Sequence, residues 1–281
     1  MRLFSYLVLC LLSFVSCRNG VRFVTVDDNE LVREEKEDLR VQFIYRQPVE
    51  GYNVTINWQP YGEDAETGVA VMEFLNKETG ARFEYCNDDK YSNAVIGNIV
   101  FSKDFKGHKN GDIYYLDYDY EFGDGLNPLH HEAPFLFLDI DFDGEKELLI
   151  NDYYQGQQGN NYEVFEITDS GLEAKKYRPF NDVDNMMKFD SQNKIITFYT
   201  HSGTFFSCSM YFQKIATSTK QQIIIPNDFD EKLRQRLSEL APDEPSDFHI
   251  IAADITMNED KYLLKVDNGK WEIVKHTKSS I

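Results

Sequence analysis

The 281 residues predict a mainly β fold of antiparallel hairpins with one helix near the C-terminus. Short apolar runs broken by turn residues predict the hairpins: "VAVMEFL" leads through "NKETG" to "ARFEYC", "YEVFEI" through "TDSG" to "LEAKKY", and "YLLKV" through "DNGK" to "WEIV". Asn268-Gly269 in the last of these is the strongest turn signal, because both residues tolerate the positive φ of a type I′ turn. In "FFSCSMYF" the residues Phe206, Cys208, Met210 and Phe212 alternate with more polar neighbours, the period-two pattern of a half-buried strand. Helical spacing is convincing in "NDFDEKLRQRLSEL", where Phe229, Leu233, Leu237 and Leu240 share a face behind a capping Asn227 or Asp228.

Taken in order, residues 1–16 carry one early positive charge at Arg2, an apolar run from Leu3 to Leu12 and small Ser16 just before Cys17, which reads as a secretory signal. The run is short for a membrane span, and no later segment approaches the roughly 18 apolar residues a spanning helix needs. An exported chain with a soluble body is therefore expected. Phe14, Val15, Ser16 and Cys17 resemble the bacterial lipobox, in which the Cys is acylated and becomes the new N-terminus; an ordinary signal peptide with an incidental Cys is the alternative. Residues 17–50 read as a tether with the acidic stretch "DDNELVREEKEDL", either a helix or a solvated excursion, and 51–281 as the main β domain. Behind the helix, "APDEPSD" is a linker.

The net charge of -19 becomes -20 once Arg2 is removed with the signal. Such a surface repels phosphate, which argues against nucleic acid and anionic lipid and leaves a basic protein or a metal cation as the fitting partners. Cys10 leaves with the signal and Cys17 takes the lipid. Cys86 and Cys208 remain and can pair in an oxidising compartment, two buried thiols being the alternative.

The segment with most chemistry is "FLFLDIDFDGEKELLIND", where Asp139, Asp141, Asp143, Gly144 and Glu147 interrupt two apolar strands. Like charges crowded into a short loop repel, so they need either free solvent or a cation. With Asp139 as position one, Asp141 is three, Asp143 five, Gly144 six, the carbonyl of Glu145 seven and Glu147 nine. That is the ladder of hard oxygen donors in a calcium loop, with Gly at the sharp turn. Position twelve, where helix-loop-helix sites place a bidentate Glu, is Ile150. A divalent cation at the connection of a β-hairpin is expected; a solvated acidic turn is the alternative.

"LDIDFDGEKELLI" resembles the calcium loop of integrin-type FG-GAP and VCBS repeat proteins. The longer "DIDFDGEKELLINDYYQGQQGNNYEVFEI", followed by "IITFYTHSGTFFSCSMYF", resembles a family of small bacterial envelope lipoproteins. Only one copy of the loop is present, and the resemblance covers roughly Phe135 to Pro226. It implies a propeller-like β fold beside the sandwich-like one that hairpins alone allow. It further implies calcium held by the side chains of Asp139, Asp141, Asp143 and Glu147 and the carbonyl of Glu145, and a lipid anchor at Cys17. Some members of that family are immunity proteins that neutralise peptidoglycan hydrolases.

Other motifs are weaker. "YYLDYDYEFGDG" places Asp117, Asp119 and Glu121 opposite Tyr118, Tyr120 and Phe122, either a second cation site, a docking strip or a solvated face. His130 and His131 with Glu132 suggest a transition metal, but adjacent strand residues point to opposite sides. His201 beside Ser202 lacks the strained nucleophile turn of a hydrolase and reads as a β-turn. Asn53-Val54-Thr55 fits a glycosylation sequon without force in a bacterial lipoprotein. The sequence thus predicts a non-enzymatic, calcium-binding envelope lipoprotein, facing periplasm or cell surface, that binds a protein such as a cell-wall hydrolase. A glycan-binding module using exposed Tyr and Trp58 or Trp271 as platforms is the alternative, and a hydrolase working through paired carboxylates a third reading.

Overall fold

Some apolar runs in this chain alternate with polar residues and others do not, and the difference follows from how many faces of each strand are covered. The computed structural model describes residues 40–60, 68–87, 109–120, 128–129, 133–152, 161–202, 206–241, 244–258 and 260–278. The 1–16 segment, Cys17, the acidic stretch 27–39, Glu121, Phe122 and His130 to Glu132 lie outside the described residues.

Among the described residues the strands form three sheets. The first comprises β1 (Val41–Tyr45), β2 (Tyr52–Pro60), β3 (Gly68–Asn76), β4 (Arg82–Asn87) and β5 (Ile113–Leu116) in the order β4-β3-β2-β1-β5. Strand β5 runs parallel to β1, and the other pairs are antiparallel. The second comprises β6 (Phe135–Leu138), β7 (Glu147–Asp152), β8 (Asn161–Thr168), β9 (Gly171–Ala174) and β10 (Val183–Asp184), ordered β10-β8-β7-β6 with β9 also paired to β8. The third runs β11 (Lys188–Asp190), β12 (Ile195–Ser202), β13 (Phe206–Thr219), β14 (Ser246–Met257), β15 (Asp260–Asp267) and β16 (Lys270–Thr277), each antiparallel to the next. The fold is mainly β, as the hairpin signals predict. Among the described residues the first strand is β1, which falls inside the stretch 17–50 and buries Val41, Phe43 and Tyr45 on the face it shares with β2.

The second sheet is the middle layer. Phe135, Phe137, Leu148 and Ile150 belong to one core together with Phe43, Ile56, Trp58, Met72 and Phe74 of the first sheet. Leu136, Leu149, Tyr162 and Val164 point the other way, into a core with Met210, Phe212, Ile250, Ile255 and Leu264 of the third. With both faces of the β6–β7 hairpin covered, neither "FLFL" nor "LLI" has a polar side to show. Burial of each such side chain is worth about 1.5–3 kcal/mol.

The third sheet buries one face, so β13 keeps the period-two pattern: Cys208, Met210 and Phe212 are buried and Phe206 packs at the margin. Helix α1 (Glu231–Glu239) packs Leu233 and Leu237 on that core, with Leu240 just beyond its end. Its cap is Asp230, whose carboxylate accepts from the N–H groups of Lys232 and Leu233. The expected caps, Asn227 and Asp228, fall in the turn before it, where the Phe229 N–H bonds the Pro226 carbonyl and the Phe229 ring packs on the core. At the β15–β16 turn Asn268 (φ 49°) and Gly269 (φ 71°) both adopt the expected positive φ.

Candidate metal centre

Strands β6 and β7 pair from Phe135↔Ile150 to Leu138↔Glu147, and the acidic loop is the connection they leave. Glu147 has the parity of Leu149, which directs its side chain toward the third sheet. Backbone N–H groups fix the loop's carboxylates. Asp139 accepts from the N–H groups of Asp143 and Gly144 at 3.1 Å each, Asp141 from Asp143 at 3.0 Å, and Glu147 from Ile140 at 3.1 Å. Gly144 supplies the φ of +99° that the sharp turn needs.

This folding gathers Asp139, Asp141 and Glu147, with one carboxylate oxygen of each within 4.8 Å of the others, a cluster that can hold a metal ion. Asp141 is 3% exposed and Glu147 2%. The Asp143 carboxylate is not gathered with them: it is exposed and accepts from the Glu145 N–H at 2.8 Å. Hard oxygen donors of this kind suit a hard divalent cation.

Positive charge also reaches the cluster from the chain itself. Lys175, one residue past β9, places its Nζ 2.5 Å from Asp141 Oδ2, 3.0 Å from Glu147 Oε1 and 3.8 Å from Glu166 Oε2. Lys214, on β13, donates to the Asp141 carbonyl at 2.5 Å and lies 3.3 Å from its Oδ1. Phe180 and Phe248 lie against these two ammoniums, with Lys175 Nζ 5.7 Å from one ring centre and Lys214 Nζ 6.0 Å from the other. Two ammoniums thus pair with Asp141 and Glu147, two of the three gathered carboxylates.

The acidities follow from burial and charge together. Burial pushes the Asp141 carboxyl up, but Lys175 and Lys214 outweigh it and the net shift is downward. For Glu147 burial prevails over the pull of Lys175 and the carboxyl is pushed up to about 7. Burial would lower the Lys175 ammonium, yet its hydrogen bond to Asp141 and the charge of Glu147 hold it above the usual lysine range.

A cavity of about 510 Å³ adjoins the loop, lined among others by Glu50, Tyr52, Phe137, Glu145, Glu147 and Glu166. The Tyr52 and Phe137 rings stack there at 5.4 Å and 7°, and Lys146 bridges to Glu50 at 2.8 Å.

The remaining candidates take ordinary structural places. Trp58 and Trp271 are buried in the two cores and offer no platform for a sugar. Asp117 pairs with Arg46 on the surface, and Asp119 is exposed while Tyr118 and Tyr120 are half-buried, a solvated side over a packed one. His201 lies on β12 with its ring 6.0 Å from Tyr199. No disulfide joins Cys86 and Cys208. Cys86 is on β4 of the first sheet and Cys208 is buried in β13 of the third, with the middle sheet's cores between those layers. Burial, with Asp254 adding to it, pushes the Cys208 thiol up to about 12.

No protein-family model matches this sequence, and comparison with curated proteins and with solved structures finds no match either.

Proposed function

We propose that the chain is a non-enzymatic, calcium-stabilised β scaffold of the bacterial envelope that serves as a protein-binding module, anchored through acylated Cys17. One observation carries the calcium reading: the loop brings Asp139, Asp141 and Glu147 together at the joint of both cores, with their carboxylates fixed by backbone N–H groups. Those three residues would hold the ion, which would add positive charge against the loop's like charges. A protein partner of basic character is supported by the net charge of -19. Inhibition of a cell-wall hydrolase as the partner relation draws its support from the resemblance of the loop segment to the envelope lipoproteins.

The test is thermal unfolding in millimolar calcium against excess chelator. An ion that binds the folded loop and not the unfolded chain stabilises by about 1.4 kcal/mol when free calcium is roughly ten times Kd. A clear rise in Tm is expected, smaller with magnesium. Asp141→Ala should remove most of it, whereas Asp117→Ala should leave it intact. Identical melting in calcium and chelator, after prior stripping of bound metal, would refute the calcium reading. Pull-down from envelope extract, with and without calcium, tests the partner: failure to retain any basic envelope protein in either condition refutes the binding module.

A further inference from the structure

We propose that Lys175 is a tethered cation standing where the calcium would sit, so that ion and ammonium exclude each other from the loop; this rests on the calcium reading above. Lys175 Nζ lies 2.5 Å from Asp141 Oδ2 and 3.0 Å from Glu147 Oε1. A calcium ion held by these two oxygens would sit about 2.3–2.6 Å from each, within about 5 Å of the Nζ that fills the gap between them. Two cations cannot share that gap.

Lys175 is built into this place. Its side chain is 6% exposed, its backbone N–H bonds the Val164 carbonyl at 2.9 Å, and its ammonium lies against the Phe180 ring. An exit is also at hand. Glu166 Oε2 stands 3.8 Å from Nζ on a side chain that is 56% exposed, at the rim of the cavity beside the loop. Rotation of the lysine side chain exchanges Asp141 and Glu147 for Glu166 without moving a strand. Lys214, bonded to the Asp141 carbonyl, keeps its hold on the loop in both arrangements.

The consequence is a loop that stays closed without calcium and takes the ion only against the cost of displacing its own lysine. Apparent affinity falls by the fraction of molecules in which the gap is vacant, so a vacancy in fewer than about one molecule in ten weakens binding more than about tenfold. The experiment is calorimetric titration of the intact chain with calcium, for wild type, Lys175→Met and Lys175→Gln. The proposal expects both variants to bind calcium about tenfold or more tightly than wild type. Equal affinities overturn it and leave the calcium reading standing, whereas absence of binding in wild type and both variants overturns the calcium reading and the exclusion with it. Should neither variant fold, amine labelling of the wild-type chain decides. Lys175 should be modified slowly in chelator and faster in saturating calcium, with the exposed Lys146 unchanged. A Lys175 rate that calcium leaves unaltered, in a chain shown to bind it, overturns the proposal.

Discussion

The β6–β7 and β15–β16 hairpins are built from the same pairing and end in opposite ways. The first lies in the middle sheet, is covered on both faces, and closes through the acidic connection 139–146. The second lies at the edge of the third sheet and closes through Asn268-Gly269, with Trp271 buried and the rest of β16 exposed. A strand with two covered faces has no polar side, so its solvent-seeking groups collect in the connection and at its end, where packing then draws Asp141 and, at the start of β7, Glu147 inside. An edge strand meets its polar needs residue by residue, and β16 carries Lys270, Glu272, Lys275 and His276 together with a register irregularity opposite Leu263 and Leu264.

The largest break in this comparison should come from the cores. Phe135 is fully buried and packs edge-on against Tyr45 and Phe74. Phe135→Ala should cost about 3–5 kcal/mol by urea denaturation. Ile273→Ala on β16, where the side chain is 39% exposed, should cost less than about 1 kcal/mol. Comparable costs at the two sites would mean that the middle sheet is not packed on both faces.

Removing one carboxylate from the buried cluster should have the next largest effect. Asp141→Ala leaves Lys175 with Glu147 but loses a buried charged hydrogen bond, a cost of about 1.5–3 kcal/mol in chelator. Asp117→Ala breaks the Arg46 pair, in which both side chains are about half exposed, and should cost under about 1 kcal/mol. Equal losses in urea denaturation would show that the lysines do not hold Asp141 as the distances indicate.

Much of this difference was legible in the sequence, and some was not. The hairpins were, because turn chemistry and alternation are local. The acidic loop was legible as a spacing, but which of its carboxylates gather depends on backbone hydrogen bonds that pull Asp143 outward. Trp58 could have been read as core, since Val54, Ile56 and Trp58 alternate with Thr55, Asn57 and Gln59. Lys214 left a similar trace: it continues the inward series Cys208, Met210, Phe212, and a lysine on a buried face demands a buried partner. Lys175 left none. It follows a short strand beside Lys176, and only the stacking of the middle sheet on the third decides which of the two ammoniums enters the loop.

The smallest expected effects lie in the two turns. Gly144 at φ +99° and Gly269 at φ +71° both occupy backbone that side chains rarely adopt, and among the described residues an added Cβ would meet nothing within 4 Å at the first and only the Gln222 carbonyl, at 3.5 Å, at the second. Sterics are therefore minor, and Gly→Ala should cost about 1–2 kcal/mol at either site through conformation alone. Asparagine should separate them. Its side chain tolerates the left-handed region near φ +57°, which Gly269 approaches and Gly144 overshoots. Gly269→Asn should therefore recover most of what Gly269→Ala loses in urea denaturation, while Gly144→Asn recovers little. Equal recovery at both turns would mean that the acidic loop relaxes to an ordinary left-handed turn, and that the sharp bend bringing Asp139 to the N–H groups of Asp143 and Gly144 is not held by the backbone.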